Sequence, residues 1–186
     1  MNRLQTFYRR VDAPGVFTQA IFKLATAANN EVFMRVKRNN GLNDQRSVVE
    51  VDAVDLLGMW LPDRIGAPAD VWSADRKFAR ACEGFAQGEP NPVPIPRVDC
   101  KENKVKQPVY ARQWLLLHKQ IGWDETRTVN AIVCDITRTM WLYAHGVRTF
   151  PVECENPAQA ALLRQHAGVG TPALTLDELI PEAPPP

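Results

Sequence analysis

One unbroken stretch, Thr126 to Cys154, limits most tightly what this chain can become. Residues 128–133 are β-branched and apolar, as a half-buried strand requires. Asp135-Ile136-Thr137 breaks that run with turn and N-cap chemistry, because a side-chain oxygen there can accept from a free helix N–H. Met140, Trp141, Tyr143 and Ala144 then fall on a helical period. Gly146 is placed to end that helix in the left-handed conformation. Phe150-Pro151-Val152-Glu153-Cys154 resumes an extended strand. The helix opens on Thr137, Arg138 and Thr139, so backbone N–H groups and two hydroxyls point outward. In outline this is an anion-binding corner.

The rest of the chain is read around that unit. Its 186 residues suffice for one domain with a sizeable core. The formal charge of +1 gives no global field toward nucleic acid or a membrane. No apolar run is long enough to span a bilayer, and the N-terminus lacks the apolar stretch of a secretory signal. Cys82, Cys100, Cys134 and Cys154 are dispersed without a paired motif, so a cytoplasmic location with packed, structural thiols is expected, and no metal site.

Residues 1–14 suit an irregular segment or an edge strand. Residues 16–24 and 31–37 suit an antiparallel N-terminal β-hairpin turning at Ala27-Ala28-Asn29-Asn30. Residues 47–51 form a short strand, and Asp52 to Trp60 a helix opened by acidic residues. After a Pro-rich loop over 61–71, Ser73 is placed to cap a helix through Cys82 that Gly84 and Gly88 end. Alternate prolines over 91–98 imply an edge strand or a polyproline segment. Residues 100–107 are charged and exposed. Residues 109–120 suit a helix carrying Trp114 and stopped by Gly122. Asn156-Pro157 opens another helix that Gly168 ends, and Thr175 with Glu178 forms a capping box. A disordered Pro-rich tail is expected over 181–186. These elements make a single α+β domain over 1–180.

Two segments together resemble a known family. Trp72-Ser73-Ala74-Asp75-Arg76-Lys77-Phe78, with Gly84-Phe85, Gly88 and Asn91-Pro92-Val93-Pro94, is the first. Thr137-Arg138-Thr139-Met140-Trp141-Leu142, with Ala144-His145-Gly146, Arg148 and Phe150 to Cys154, is the second. Both resemble the plasmid fertility-inhibition factor family over roughly residues 48–180. Residues 99–128 look like an insertion bearing the Trp114 helix. That family is similar to the ParB/sulfiredoxin superfamily, which implies a mixed sheet with short helices. It also implies a G-x-x-R turn whose Arg meets a nucleotide phosphate or a nucleic-acid backbone.

The matching residues are Asp135, Ile136, Thr137 and Arg138. Asp135 stands at the glycine position, where its carboxylate repels an anion. Ile136 and Thr137 replace the Cys and His of sulfiredoxin, which removes that chemistry. The resemblance implies inhibition of conjugation: the transfer of a co-resident plasmid is blocked through the coupling ATPase of the type IV secretion machinery. It also brings ATPase and DNase activities, with ATP and magnesium as the cofactors to test, DNA as a second partner, and recruitment to the inner membrane through the partner.

Several residues keep two readings. Arg138 binds phosphate, or forms a salt bridge to Asp135 or Glu153. Thr137 and Thr139 serve as caps or as ligand contacts. Asp75, Arg76 and Lys77 form a charged patch beside the turn, or a solvated first helical turn. Glu153 alternates with Val152 and Cys154, which makes it a surface carboxylate. His145 caps a helix C-terminus. His118 and His166 are lone helical histidines. Most of the five Trp are core. Trp114 and Trp123 flank the apparent insertion and are the candidate anchors for a partner.

Overall fold

Apolar residues on alternate positions build the N-terminal sheet of this α+β fold. A computed structural model of the chain describes residues 4–13, 16–38, 44–61, 77–114 and 117–181. In its first sheet β1 (Phe7–Ala13) is the edge and pairs antiparallel with β2 (Val16–Ala25). β2 pairs antiparallel with β3 (Glu31–Lys37), the expected hairpin, and Asn29 takes the positive φ of 58° in its turn. The other edge is β5 (Val93–Pro94), only two residues long and parallel to β3. The prolines around it end the ladder there.

The second sheet has the order β8–β4–β9. β4 (Ser47–Asp52) lies between β8 (Thr149–Cys154) and β9 (Leu174–Thr175), antiparallel to both. Among the described residues five helices pack around these sheets. α1 (Ala53–Trp60) is capped by Asp52, whose side chain accepts from the amides of Val54 and Asp55. α2 (Phe78–Ala86) and α3 (Ile136–Ala144) lie side by side, and Phe85 stacks on Trp141 at 4.0 Å. α4 (Pro157–Ala167) opens on the Asn156 cap, and α5 (Leu176–Leu179) on the Thr175–Glu178 capping box. The buried cluster runs from Leu4 through Phe22, Val49, Leu142 and Phe150 to Ile180.

A buried carboxylate ties the N-terminus to the second sheet. Glu50 on β4 is fully buried. It accepts from the amides of Gln5 (2.8 Å) and Thr6 (2.6 Å) and from the Thr6 hydroxyl (2.7 Å).

The third sheet corrects the sequence reading. Residues 109–120 are not a helix. β6 (Val98–Trp114) and β7 (Leu117–Val133) form one antiparallel ribbon, in which Trp114 pairs with Leu117 and Val98 with Val133. The run Trp114-Leu115-Leu116-Leu117 suits either period, and short apolar runs do not separate helix from strand. Gly122 does not stop a helix; it pairs with Val109 beside an irregularity that leaves Ile121 without a partner in the register. Among the ribbon's described side chains, the buried ones are Val98, Cys100, Ala131 and Val133, at its base.

α2 is also shorter than expected at its start and longer at its end. It begins at Phe78 after Lys77, which makes no side-chain cap, and the Ser73 cap falls outside the described residues, as do residues 182–186 of the tail. Gly84 lies inside α2, and the chain turns at Gly88 with φ 63°.

Gly146 is a point where no other residue fits. Its φ is 68°, and a Cβ there would stand 2.7 Å from the Ala27 Cβ in the β2–β3 turn. The amide of Ala27 donates to the carbonyl of His145 at 2.9 Å, so the two segments are locked together. Gly146→Ala is therefore expected to cost more than about 1–2 kcal/mol, the left-handed penalty alone. Gly84→Ala, whose Cβ would meet only the Val93 side chain at 3.5 Å, should be neutral or stabilise by about 0.5–1 kcal/mol. Denaturant unfolding of both variants checks the contrast; equal effects would remove the conformational argument.

Candidate functional site

The strand–turn–helix unit forms as read, but its turn is wired differently. After β7 ends, the amide of Cys134 donates to the carbonyl of Arg97 at 2.9 Å. Asp135 then occupies the N-cap position of α3 without capping it through its side chain. One carboxylate oxygen accepts from the amide of Arg97 at 3.2 Å, and the other pairs with the Arg138 guanidinium at 2.9 Å. Arg138 also reaches the carbonyl of Pro94 at 3.5 Å. Of the two salt-bridge partners considered for Arg138, Asp135 is the one engaged. Thr139 is buried, and its hydroxyl donates back to the carbonyl of Asp135 at 3.3 Å. Only Thr137 of the two threonines therefore faces outward.

Thr137 and Arg138 open onto a cleft of about 400 Å³ between α2, α3 and the β3–β5 edge. Its wall carries Arg35 from β3, Lys77 at the entry to α2, Arg80 from α2, and Arg138 from α3. Among the described residues no carboxylate lines it. Arg35 and Arg80 form no ion pair with any described residue. The molecule as a whole carries only +1, so the cleft is a local concentration of positive charge. Its floor is short and apolar, with Ala81, Gly84, Pro92 and Val93. Such a wall binds anions by attraction at a surface where water still screens.

Arg35 and Arg80 were not visible as site residues in the sequence. Arg35 alternates with the buried Val32, Met34 and Val36, which marks it only as outward-facing. Arg80 lies one turn beyond Lys77, a spacing that places both on one helix face. Neither pattern says that a third element closes over them. Asp75 and Arg76, the other half of the expected charged patch, lie outside the described residues.

Glu153 is not a surface carboxylate. Arg46 binds it at 2.9 Å and binds Asp44 through a short pair at 2.5 Å. Arg46 and Glu153 are both shifted upward, which favours the charged form of one and disfavours that of the other. Arg46 is held above its usual value, first by the hydrogen bonds it donates to Asp44 and also by Glu153. Glu153 is nonetheless held above the usual carboxylate range, because its burial outweighs Arg46. Both follow if Asp44 is the principal partner and Glu153 the subordinate one. A second cleft beside this cluster is lined by Arg35, Lys37 and Pro94 as well, so the two clefts share a wall.

The aromatic candidates separate. Trp123 on β7 is 64% exposed, as is Ile121. Trp123 pairs with the exposed Pro108 on the same face of the ribbon. Trp114 lies in β6, and its side chain is outside the described set. Trp141 is buried, Trp60 is half-buried, and Trp72 is outside the described residues, so the expectation that most Trp are core holds clearly only for Trp141. His145 occupies the C-cap of α3, with its Nδ1 2.9 Å from the Trp141 carbonyl and its ring 3.8 Å from the indole. His166 is an exposed residue of α4, and His118 lies in β7 instead of a helix.

The four thiols divide evenly. Cys100 and Cys154 are buried, and burial pushes them up to about 11 and about 12. Cys82 and Cys134 are exposed, against the expectation of packing. A thiol-titrating reagent at neutral pH is expected to modify Cys82 and Cys134 in the folded protein, and Cys100 and Cys154 only on unfolding. Rapid reaction of all four would contradict the burial.

Glu153 gives a pH dependence with a definite sign. A carboxyl that binds its proton more tightly folded than unfolded stabilises the fold while protonated. It loses that contribution as pH climbs through its folded value. Glu153→Gln should therefore gain stability relative to the parent as pH rises from the ordinary carboxylate range upward, and match it below. A pH series of chemical denaturation measures this; a gap that narrows with rising pH would show the opposite linkage.

Comparison with known proteins bears on the same region. Residues 48–168 match the family model of the plasmid fertility inhibition factor. The chain is similar to Protein osa of Shigella flexneri, 26% identical over 164 residues that cover 86% of this chain and 74% of that protein. Its fold is similar to the crystal structure of Oncogenic Suppression Activity Protein, a plasmid fertility inhibition factor, in its gold(I) cyanide derivative. That likeness has a TM-score of 0.63 at 22% identity over 94% of this chain and 82% of the other.

Proposed function

We propose that this chain, which belongs to the plasmid fertility inhibition factor family, blocks conjugative transfer of a co-resident plasmid by binding the coupling ATPase of the type IV secretion machinery. Family membership supports inhibition, and the ribbon supports a binding mechanism. Trp123 and Ile121 stand exposed on a two-stranded arm whose buried residues, among the described ones, lie at its base. Aromatic residues of this kind dominate the energy of protein interfaces. Trp114 lies in the same arm and is the second candidate anchor. In this reading the protein works in the cytoplasm and reaches the inner membrane through its partner. Among the described residues no helix is long and apolar enough to cross a membrane.

A second reading, a ParB/sulfiredoxin-type ATPase or DNase, draws on the cationic cleft beside Thr137 and Arg138. A phosphate suits Arg35, Lys77 and Arg80. Magnesium fits less well. Asp135 is the carboxylate at the turn, and both of its oxygens are already engaged by Arg97 and Arg138. Among the described residues no cluster of three metal-ligating side chains exists. No step of ATP or DNA hydrolysis is assigned to these residues.

A mating assay distinguishes the readings. Donor cells carry a conjugative plasmid with the protein supplied in trans, as parent, as Trp123→Ala and as Arg138→Ala. The binding reading expects Trp123→Ala to relieve inhibition by about tenfold or more, a hot-spot loss, with its fold intact by circular dichroism. It expects Arg138→Ala to inhibit like the parent. Relief by Arg138→Ala alone would favour the enzymatic reading, and capture of the coupling ATPase by the parent but not by Trp123→Ala gives the biochemical counterpart.

A further inference from the structure

We infer that the cationic cleft is a docking slot for an acidic peptide segment of a protein partner, with Arg35 and Arg80 as its anchoring cations. This deepens the inhibitor reading and depends on it for the partner's identity, but the binding chemistry stands on the cleft itself.

The cations come from three separate elements, β3, α2 and α3, around a cleft of about 400 Å³. A peptide carrying carboxylates along an extended backbone advances about 3.3 Å per residue, so its charges can meet cations carried by different elements. A single phosphate is compact and best held by convergent donors. At the start of α3 Asp135 stands against Arg138 at 2.9 Å. A phosphate dianion drawn to that helix end meets the Asp135 carboxylate at close range, and the repulsion grows with its charge.

The floor points the same way. Pro92, Val93, Ala81 and Gly84 offer an apolar surface for aliphatic side chains between the carboxylates. A polynucleotide fits less well. The ribbon alternates Lys104 and Arg127 with Glu125 and Glu102, pairing them at 3.4 and 3.5 Å, and so continues no basic stripe away from the cleft. Arg35 and Arg80 are the cations to which the role falls, because Arg138 is already committed to Asp135 and the carbonyl of Pro94.

The test uses the full chain and a fluorescein-labelled peptide of alternating Asp and Leu, with its Asn–Leu counterpart as control. The Asp peptide is expected to bind, the Asn peptide not, and binding should weaken with salt. Arg35→Gln and Arg80→Gln should each weaken it about three- to fivefold, as partly exposed ion pairs do, with circular dichroism unchanged. Absence of binding, or equal binding by the parent and both variants, overturns the inference. So does displacement of the peptide by ATP or by an oligothymidylate at lower concentration than by unlabelled peptide, which would make the cleft a phosphate site.

The mating assay separates the two levels. If the double variant loses the peptide but still inhibits transfer, the cleft is not where the inhibitor meets its target, and this inference falls while the inhibitor reading stands. If the parent binds the peptide through Arg35 and Arg80 yet inhibits no plasmid, the slot stands and the inhibitor reading fails.

Discussion

Glu50 is buried on the middle strand of the second sheet. Its three hydrogen bonds all go to Gln5 and Thr6. A buried polar group must find hydrogen-bond partners to offset the cost of leaving water. The geometry they enforce is the point. Thr6 is held at β4, and its carbonyl in turn accepts from the amide of Lys23 on β2 at 2.9 Å. The chain then enters β1 in register with β2. One side chain thus fixes how the two sheets meet, and the buried Leu4 closes the gap beside it. The amide of Val169, just past α4, donates to the backbone carbonyl of the same residue. The N-terminal segment, the first sheet and the C-terminal helices are all referenced to β4 through it.

Charge is handled locally in this molecule. Near the α3 turn, Asp135 is spent on Arg97 and Arg138, which leaves Arg35 and Arg80 as the cations that face the cleft without an acidic partner among the described residues. On the other side of the shared wall, Arg46 is spent between two carboxylates. Neighbouring guanidinium groups therefore differ sharply in what they can offer a ligand. Residue type alone would rank them equal; the pairing decides.

What was legible in the sequence was what local chemistry dictates. Asn29 at positive φ, Asn156 before Pro157, and the reciprocal Thr175–Glu178 cap each depend on residues a few positions apart, and each formed as read. The unit from β7 through α3 to β8 was legible for the same reason, down to Gly146. Three features were not. The outer part of the ribbon, residues 109–120, was read as a helix because a compact apolar run fits both periods. Glu153 was read as solvent-exposed because alternation assumes one bare face, whereas Arg46 and the bridge from Arg97 cover it. Arg35 and Arg80 lie far apart in sequence, and only packing of α2 against the sheet edge makes them one site.

The ribbon also sets an order on how the chain can assemble. Its ladder begins at its outer end with the pairing of Trp114 and Leu117, residues three apart in the sequence, and runs inward to Val98 and Val133 at the core. Closing a short loop is fast and costs little entropy, so pairing can start at the outer end and zip toward the base one rung at a time. Each rung brings the next closer, until Cys100 and Ala131 arrive together at the place where the core must receive them. The Asp135 turn and α3 follow directly from the inner end of β7. An arm that looks like an appendage would then act as the guide rail by which the strand before the site is delivered to it.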